Sequence, residues 1–485
     1  LALTVPMITE YATMRELANA PELHTDPPRE RELVSPHGEA PLAPIQRWFF
    51  SSGHPRPSHW NMAFTFELRH EVSVDQATRA VFTVMEEFPV LGARFEKGRE
   101  GFTQFIPESV KDEFLVQSIA PPADRAEWVE ALSAVQADFD LGSGIVARFL
   151  LAADEEQKCL AIGAVIHHLV TDALSNWYIA RRMVQLLDEP GGSARSAVAT
   201  VSYREWSMLQ QQFATSGGEQ EPAVATAGSW TEDRAVSQAL EVSGTQLAGI
   251  RQLCEQNDVA LHEYVLFLLM SSGKLSSKTR VDVEMHGRDL LESTVDASAA
   301  IGWFTSFFPF EFSPGSDTDL LRFRDGFRRA RRESATQFVR DPVNFFSSSA
   351  SASGTEPGSQ PIPFLYNFLA MDAAAQDRAG AEDFTFTPLT DSCFRDSDSI
   401  RGHAVELIVT DHQGGLALNW CADEAIAGQI GLHDWIERCR SRLEDPLDTF
   451  RDSMASVHSR DFPDSGLEEN ELSDFLDSLD SVSYT

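Results

Sequence analysis

Cysteine is scarce in this chain and unclustered. Cys159, Cys254, Cys393, Cys421 and Cys439 are scattered with no CxxC spacing, which argues against a zinc knuckle or a disulfide frame and for a reducing compartment. Long apolar runs are missing too. Tyr264 to Met270 (YVLFLLM) is among the longest, far short of the roughly 18 residues a membrane span needs. No signal-peptide pattern opens the chain, so a cytoplasmic location is expected. Basic charge is in deficit: 39 Lys and Arg face 74 Asp and Glu, for a net −35, which makes nucleic acid and anionic membrane poor partners. At 485 residues with 42% hydrophobic content, the chain can bury one large core or two lobes.

The most informative segment is His167-His168-Leu169-Val170-Thr171-Asp172. Cys159 to Ile166 (CLAIGAVI) before it is almost continuously apolar, as a strand covered on both faces would be, and Ala173 to Leu187 after it reads as a helix. Polar side chains at such a corner commonly face a cleft, and modest burial keeps a histidine neutral and basic at working pH. Asp172 can pair with a cation, hold an imidazole in one tautomer, or simply cap the helix that follows.

Other periodicities give the organisation. Val72 to Phe88 has the spacing of a surface helix, with Val74, Ala77, Ala80, Val81, Val84 and Met85 on one face. Ser243 to Asn257 and His262 to Leu275 read as helices and Arg280 to Met285 as a strand, implying mixed α/β layers. Residues 21–40, rich in proline and charge, are expected as a linker, 41–213 as an N-terminal lobe, 214–228 as a crossover and 229–460 as a C-terminal lobe. Ser347 to Ser359 lacks the apolar side chains to offset the entropy of ordering and is expected to be a mobile loop. Residues 461–485 carry no Lys or Arg and place Leu472, Phe475, Leu476 and Leu479 on one helical face. Such a tail either docks on a basic surface of a downstream protein or only aids solubility.

The HHxxxD pattern resembles the core motif of the condensation-domain superfamily of nonribosomal peptide synthetases, with Ala173 where the usual HHxxxDG has glycine. Pro44 to Phe49 (PIQRWF) resembles the PIQxWF motif of its epimerization branch, and Ser58-His59-Trp60-Asn61 lies where that branch has an HxNQ-like segment. Val283 to Asp289 (VEMHGRD) is similar to EGHGRE, Ile301 to Ser306 (IGWFTS) to TVGWFT, Tyr366 to Leu369 (YNFL) to FNYLG, and Asp461-Phe462-Pro463 to SDFP. Arg340 to Phe346 (RDPVNFF) stands where that branch has a GIGYG-type segment, and Phe368 replaces its tyrosine. Residues 1–20 resemble the end of a peptidyl carrier domain without its serine; a plain amphipathic helix is the other reading.

The resemblance implies an α/β fold of two chloramphenicol-acetyltransferase-like lobes, a V-shaped pseudo-dimer with a central tunnel. It assigns catalysis to His168 and Glu284, a structural role to Asp172, and to His167 a place behind His168. Asn367 would donate a hydrogen bond to a thioester oxygen. Arg288 would support the site, and a salt bridge from it to Glu284 is the plainer reading of that pair. His286 reads as structural and no metal site is expected. No cofactor is expected on the chain: a partner peptidyl or acyl carrier protein supplies the phosphopantetheine arm, and a downstream synthetase subunit is the expected partner of the tail. The implied reaction is epimerization at the α-carbon of a carrier-bound aminoacyl or peptidyl thioester. The rivals are condensation to an amide or ester, and a degenerate domain that only binds carriers.

Overall fold

The computed structural model describes residues 34–444 and 446, apart from 100, 111–114, 189–200, 216–229, 274–278, 289, 291–295, 314–318, 347–361, 371–383 and 413. The expected carrier remnant, the loop at 347–359 and the acidic tail lie outside the described residues, as does most of the crossover.

The apolar run before the histidines becomes β7 (Lys158–His167). It lies between β2 (Asn61–Ser73) and β6 (Ala147–Ala153), pairing antiparallel with both, and β5 (Val116–Ile119) extends the sheet beyond β6. Alternation decides what covers each face. Ile162, Ala164 and Ile166 join a core with Val81, Val84, Ile179 and Met183, from the helices Val74–Glu87 and Ala173–Asp188. Val165 turns the other way, towards Leu132 of the helix Arg125–Val135. A strand covered on both faces needs no polar alternation, which is why its sequence shows none.

Helix starts follow local chemistry. Ser73 and Gln76 form a capping box, so the first of these helices begins at Val74 while Val72 and Ser73 still belong to β2. Ser243 and Gln246 do the same for the helix Gly244–Gln256. The run YVLFLLM lies within the helix Leu261–Ser272, which is buried along most of its length. It packs against the helices Leu320–Ser334 and Leu432–Glu444. Among the described residues no helix is long and apolar enough to cross a membrane.

The second sheet has six strands, β8 (Ala235–Val242), β9 (Thr279–Met285), β10 (Ser306–Phe312), β11 (Phe364–Phe368), β13 (Val405–His412) and β14 (Gly415–Asp423). Their order is β10-β9-β11-β13-β14-β8, with β11 parallel to both neighbours.

Three boundaries differ from the sequence reading. β12 (Thr385–Leu389), from the second half of the chain, pairs with β2 in the first sheet. It covers the edge that β2 would otherwise leave open, and as an edge strand it tolerates Pro388. The residues expected as linker end in β1 (Gly38–Ala40), which pairs with β4 (Phe102–Ile106) in a small sheet completed by β3 (Arg94–Lys97). The helix Tyr203–Thr215 runs two residues into the expected crossover, 214–228.

Candidate active site

β7 ends at His167, and the chain turns through one 3-10 turn, His168–Val170, before the helix Ala173–Asp188. His167 builds that turn. Its Nδ1 accepts from the Leu169 amide at 3.0 Å, and its Nε2 lies 2.7 Å from the Pro57 carbonyl. A carbonyl only accepts, so Nε2 carries the proton, both nitrogens are engaged, and the ring is structural. Burial pushes its pKa down to about 3.

His168 is held differently. Its amide donates to the Trp60 carbonyl at 2.9 Å, its ring stacks on Trp303 with centroids 4.2 Å apart, and its Nδ1 lies 2.8 Å from the Thr171 carbonyl. Nδ1 therefore carries the proton, which leaves the Nε2 lone pair available as a base. Burial, then the charge of Arg395, push the imidazole down to about 4, against weaker opposing effects of the Thr171 carbonyl and Asp172.

Glu284 stands on β9 in the second lobe. Its carboxyl is pushed up to about 8, first by burial and then by Glu406, while Arg395 and the Thr305 hydroxyl at 3.4 Å oppose the shift. His168 and Glu284 both keep part of their surface accessible. One short segment contacts both: Trp303 stacks on the imidazole and Thr305, two residues along, donates to the carboxylate. Two residues span at most about 7 Å.

Asp172 and Arg288 close the junction from behind. Arg288 Nη1 and Nη2 each donate to one oxygen of Asp172 at 3.0 Å, and the Ser175 and Phe304 amides add bonds of 2.7 and 3.1 Å. The guanidinium also lies 4.1 Å from the centre of the Phe304 ring. Burial works to raise the Asp172 pKa, but the Arg288 charge and these donors outweigh it and hold the carboxyl below 3.8. Asp172 thus does two of the three things left open for it, capping a helix and binding a cation, while the Thr171 carbonyl holds the His168 tautomer. The arginine it binds is the one expected on Glu284.

Asn367 follows Tyr366 on β11, where the parallel register pairs Tyr366 with Val283. The pairing of β11 with β9 ends there, and Asn367 and Glu284 are the next residue of each strand.

Gly302 makes this packing possible. At φ +154 it faces Tyr203, and a Cβ there would lie 2.0 Å from the ring. The substitution Gly302→Ala is expected to cost about 1–3 kcal/mol and to pull Trp303 off His168, read as a lower urea midpoint with a changed tryptophan spectrum.

The condensation-domain family model matches residues 37–419. The chain belongs to the condensation-domain family. Among its relatives, a linear gramicidin synthase protein of Brevibacillus parabrevis is 27% identical over 64% of the chain, and chondramide synthase cmdD of Chondromyces crocatus 25% identical over 99% of it. The chain spans 4% and 13% of the length of these relatives. Among solved structures, the epimerization domain from the third module of tyrocidine synthetase B superposes with a TM-score of 0.67 at 17% identity, over 88% of this chain and all of that one. The condensation domain of the Monacolin K polyketide synthase MokA gives 0.61 at 14%, over 86% and 99%. The fold is the expected two-lobed, chloramphenicol-acetyltransferase-like one.

In this condensation-family chain, sequence reasoning passed over several residues that shape the site. Trp303, inside a quoted motif, is 3% exposed and is the platform under His168. Thr305 lies inside a quoted motif and contacts Glu284. Arg395 and Glu406 match no motif, and only the fold brings their charges to bear on the site.

Proposed function

We propose that this chain epimerises the α-carbon of an aminoacyl or peptidyl thioester presented by a carrier protein. The observation that carries the reading is the pairing of a neutral imidazole with a carboxyl whose pKa of about 8 keeps it mostly protonated at neutral pH. Inverting a carbon through its carbanion needs a base on one face and an acid on the other. His168 Nε2 removes the α-proton, and the electron pair passes into the thioester carbonyl as an enolate. Glu284 returns a proton to the opposite face. The imidazolium and carboxylate left behind exchange protons with solvent to reset the pair. Asn367, one residue past the last pair of β11 with β9, is suited to donate to the enolate oxygen.

The family supplies the rest of the reading: a peptidyl or acyl carrier protein is the partner, and its phosphopantetheine arm brings the substrate. The acidic tail would dock on a downstream synthetase subunit. The competing reaction, condensation to an amide or ester, is favoured by Phe368, which removes the hydroxyl of the epimerization-branch motif.

The test is to load a carrier with an L-aminoacyl-phosphopantetheine in deuterated water. Deuterium at the α-carbon together with the D-isomer supports epimerization. No exchange, with product only after an amine or alcohol is added, establishes condensation instead.

The pH dependence follows with its sign. The base works above about 4, where His168 is neutral, and the acid below about 8, where Glu284 is protonated. Formation of the D-isomer is therefore expected to follow a bell, falling on acidification through the first value and on alkalinisation through the second. A rate that holds level from neutrality well past the upper limb would remove Glu284 as the donor.

A further inference from the structure

Residues 391–401, between β12 and β13, strap the two halves together. Cys393 offers its carbonyl to His59 Nε2 at 2.9 Å, and the Asp396 amide donates to the His59 carbonyl at 2.9 Å. Arg56 Nε lies 2.8 Å from the Asp396 carboxylate, and Arg395 forms a β-bridge with Trp60. The Arg395 guanidinium sits 4.6 Å from the centre of the Trp60 indole. Trp60 in turn holds the His168 amide through its carbonyl. Trp60 thus touches both Arg395 and the turn that carries the base.

The other end of Arg395 is fixed by charge. Its Nη1 donates to Glu232 at 2.9 Å; Glu232 lies 3.6 Å from Arg401, and Arg401 3.1 Å from Glu406. Two cations and two carboxylates alternate in this row, so the loss of Arg395 leaves Glu232 with Arg401 alone, at 3.6 Å. Its side chain nevertheless keeps 37% of its surface accessible, whereas Arg401 keeps 1%. Of the two arginines, only Arg395 is both solvent-accessible and among the charges acting on His168 and Glu284.

We propose that Arg395 is a positioning residue for the acid/base pair: its grip on Trp60 and Glu232 fixes the turn that carries His168, and its charge acts on both His168 and Glu284. This rests on the roles given to those two groups under the proposed function. The groups acting on the imidazole are Arg395, Asp172 and the Thr171 carbonyl; those acting on the Glu284 carboxyl are Glu406, Arg395, Thr305 and Asp172. His54, stacked between Phe49 and Trp60, also feels Arg395. A cation lowers the pKa of imidazole and carboxyl alike, so its loss raises both.

The experiment is a ring-proton NMR titration of the full chain, with the His168 signal assigned by its loss in His168→Gln. In Arg395→Gln the His168 midpoint is expected to rise from about 4 by roughly half a unit or more. In Arg395→Lys, which keeps the charge, it should stay near the wild-type value. Glu232→Gln, which removes the counter-charge, should move it down, and this arm decides the matter if Arg395→Gln does not fold. A midpoint unmoved in Arg395→Gln, or unmoved or raised in Glu232→Gln, overturns the proposal. Exchange assays on the same proteins separate the two readings. If the wild type exchanges no α-hydrogen, epimerization fails while the titration still decides the role of Arg395. Where the D-isomer forms, the upper pH limb of its formation should rise in Arg395→Gln, a displacement that loss of packing alone would not give.

Discussion

His168→Ala and Glu284→Ala are each expected to slow formation of the D-isomer by at least ~10²-fold, the lower end of what a positioned acid or base contributes. The two losses have different origins. Without the imidazole no base faces the α-proton, and Trp303 keeps its place but loses the ring stacked on it. Without the carboxyl the enolate still forms, and reprotonation from the second face falls to whatever water enters. Glu284→Gln sharpens the comparison, because the amide keeps the shape and a contact for Thr305 but gives up no proton at working pH. Neither change should cost much stability, since both side chains are partly exposed and neither holds an ion pair among the described residues. In amide or ester formation only His168 is needed, so a Glu284→Gln protein that forms the D-isomer within a few-fold of wild type would end the two-group mechanism.

The ends of this site were legible in the sequence for unequal reasons. His168 announces itself because a buried apolar strand stops at a polar corner, and strand patterning is a local property. Glu284 needed the motif resemblance, since a carboxylate at the end of a strand has no special spacing. Asp172 shows the limit of local reasoning. Its capping bond to Ser175 lies three residues away and is readable, but the guanidinium that neutralises it comes from residue 288. The nearness of Arg288 and Glu284 in sequence suggested the wrong pair. They are four apart across a strand end and the turn at Gly287, which sends the arginine back towards the first lobe. β12 was hidden for a related reason: strand pairing across more than 300 residues leaves no local trace, so the division at 214–228 could not reveal that the second half returns a strand to the first sheet. Arg395 follows that same excursion, which is why no local pattern marked it.

The second large effect concerns that ion pair. Arg288→Ala is expected to destabilise the chain by about 3–5 kcal/mol, because it leaves an uncompensated carboxylate at a site where both partners are almost fully buried. Asp172→Ala should cost a similar amount by stranding the guanidinium, and it also removes an acceptor from the Ser175 and Phe304 amides. Because the Asp172 pKa lies below 3.8 in the folded chain, the stabilisation from this pair is fully present above that value and is lost as pH falls through the folded pKa. Urea unfolding at pH 7 and at progressively lower pH should show the gap between wild type and Asp172→Ala closing on acidification. The double change is expected to recover part of either single loss, since it leaves no charge behind. Equal midpoints for wild type and Arg288→Ala would show that the lobes are joined by other contacts. A large drop without recovery in the double mutant would mean that the hydrogen bonds of Asp172 to the Ser175 and Phe304 amides, more than its charge, hold Phe304 and the Trp303–Thr305 segment against the first lobe, and with it the approach of His168 to Glu284.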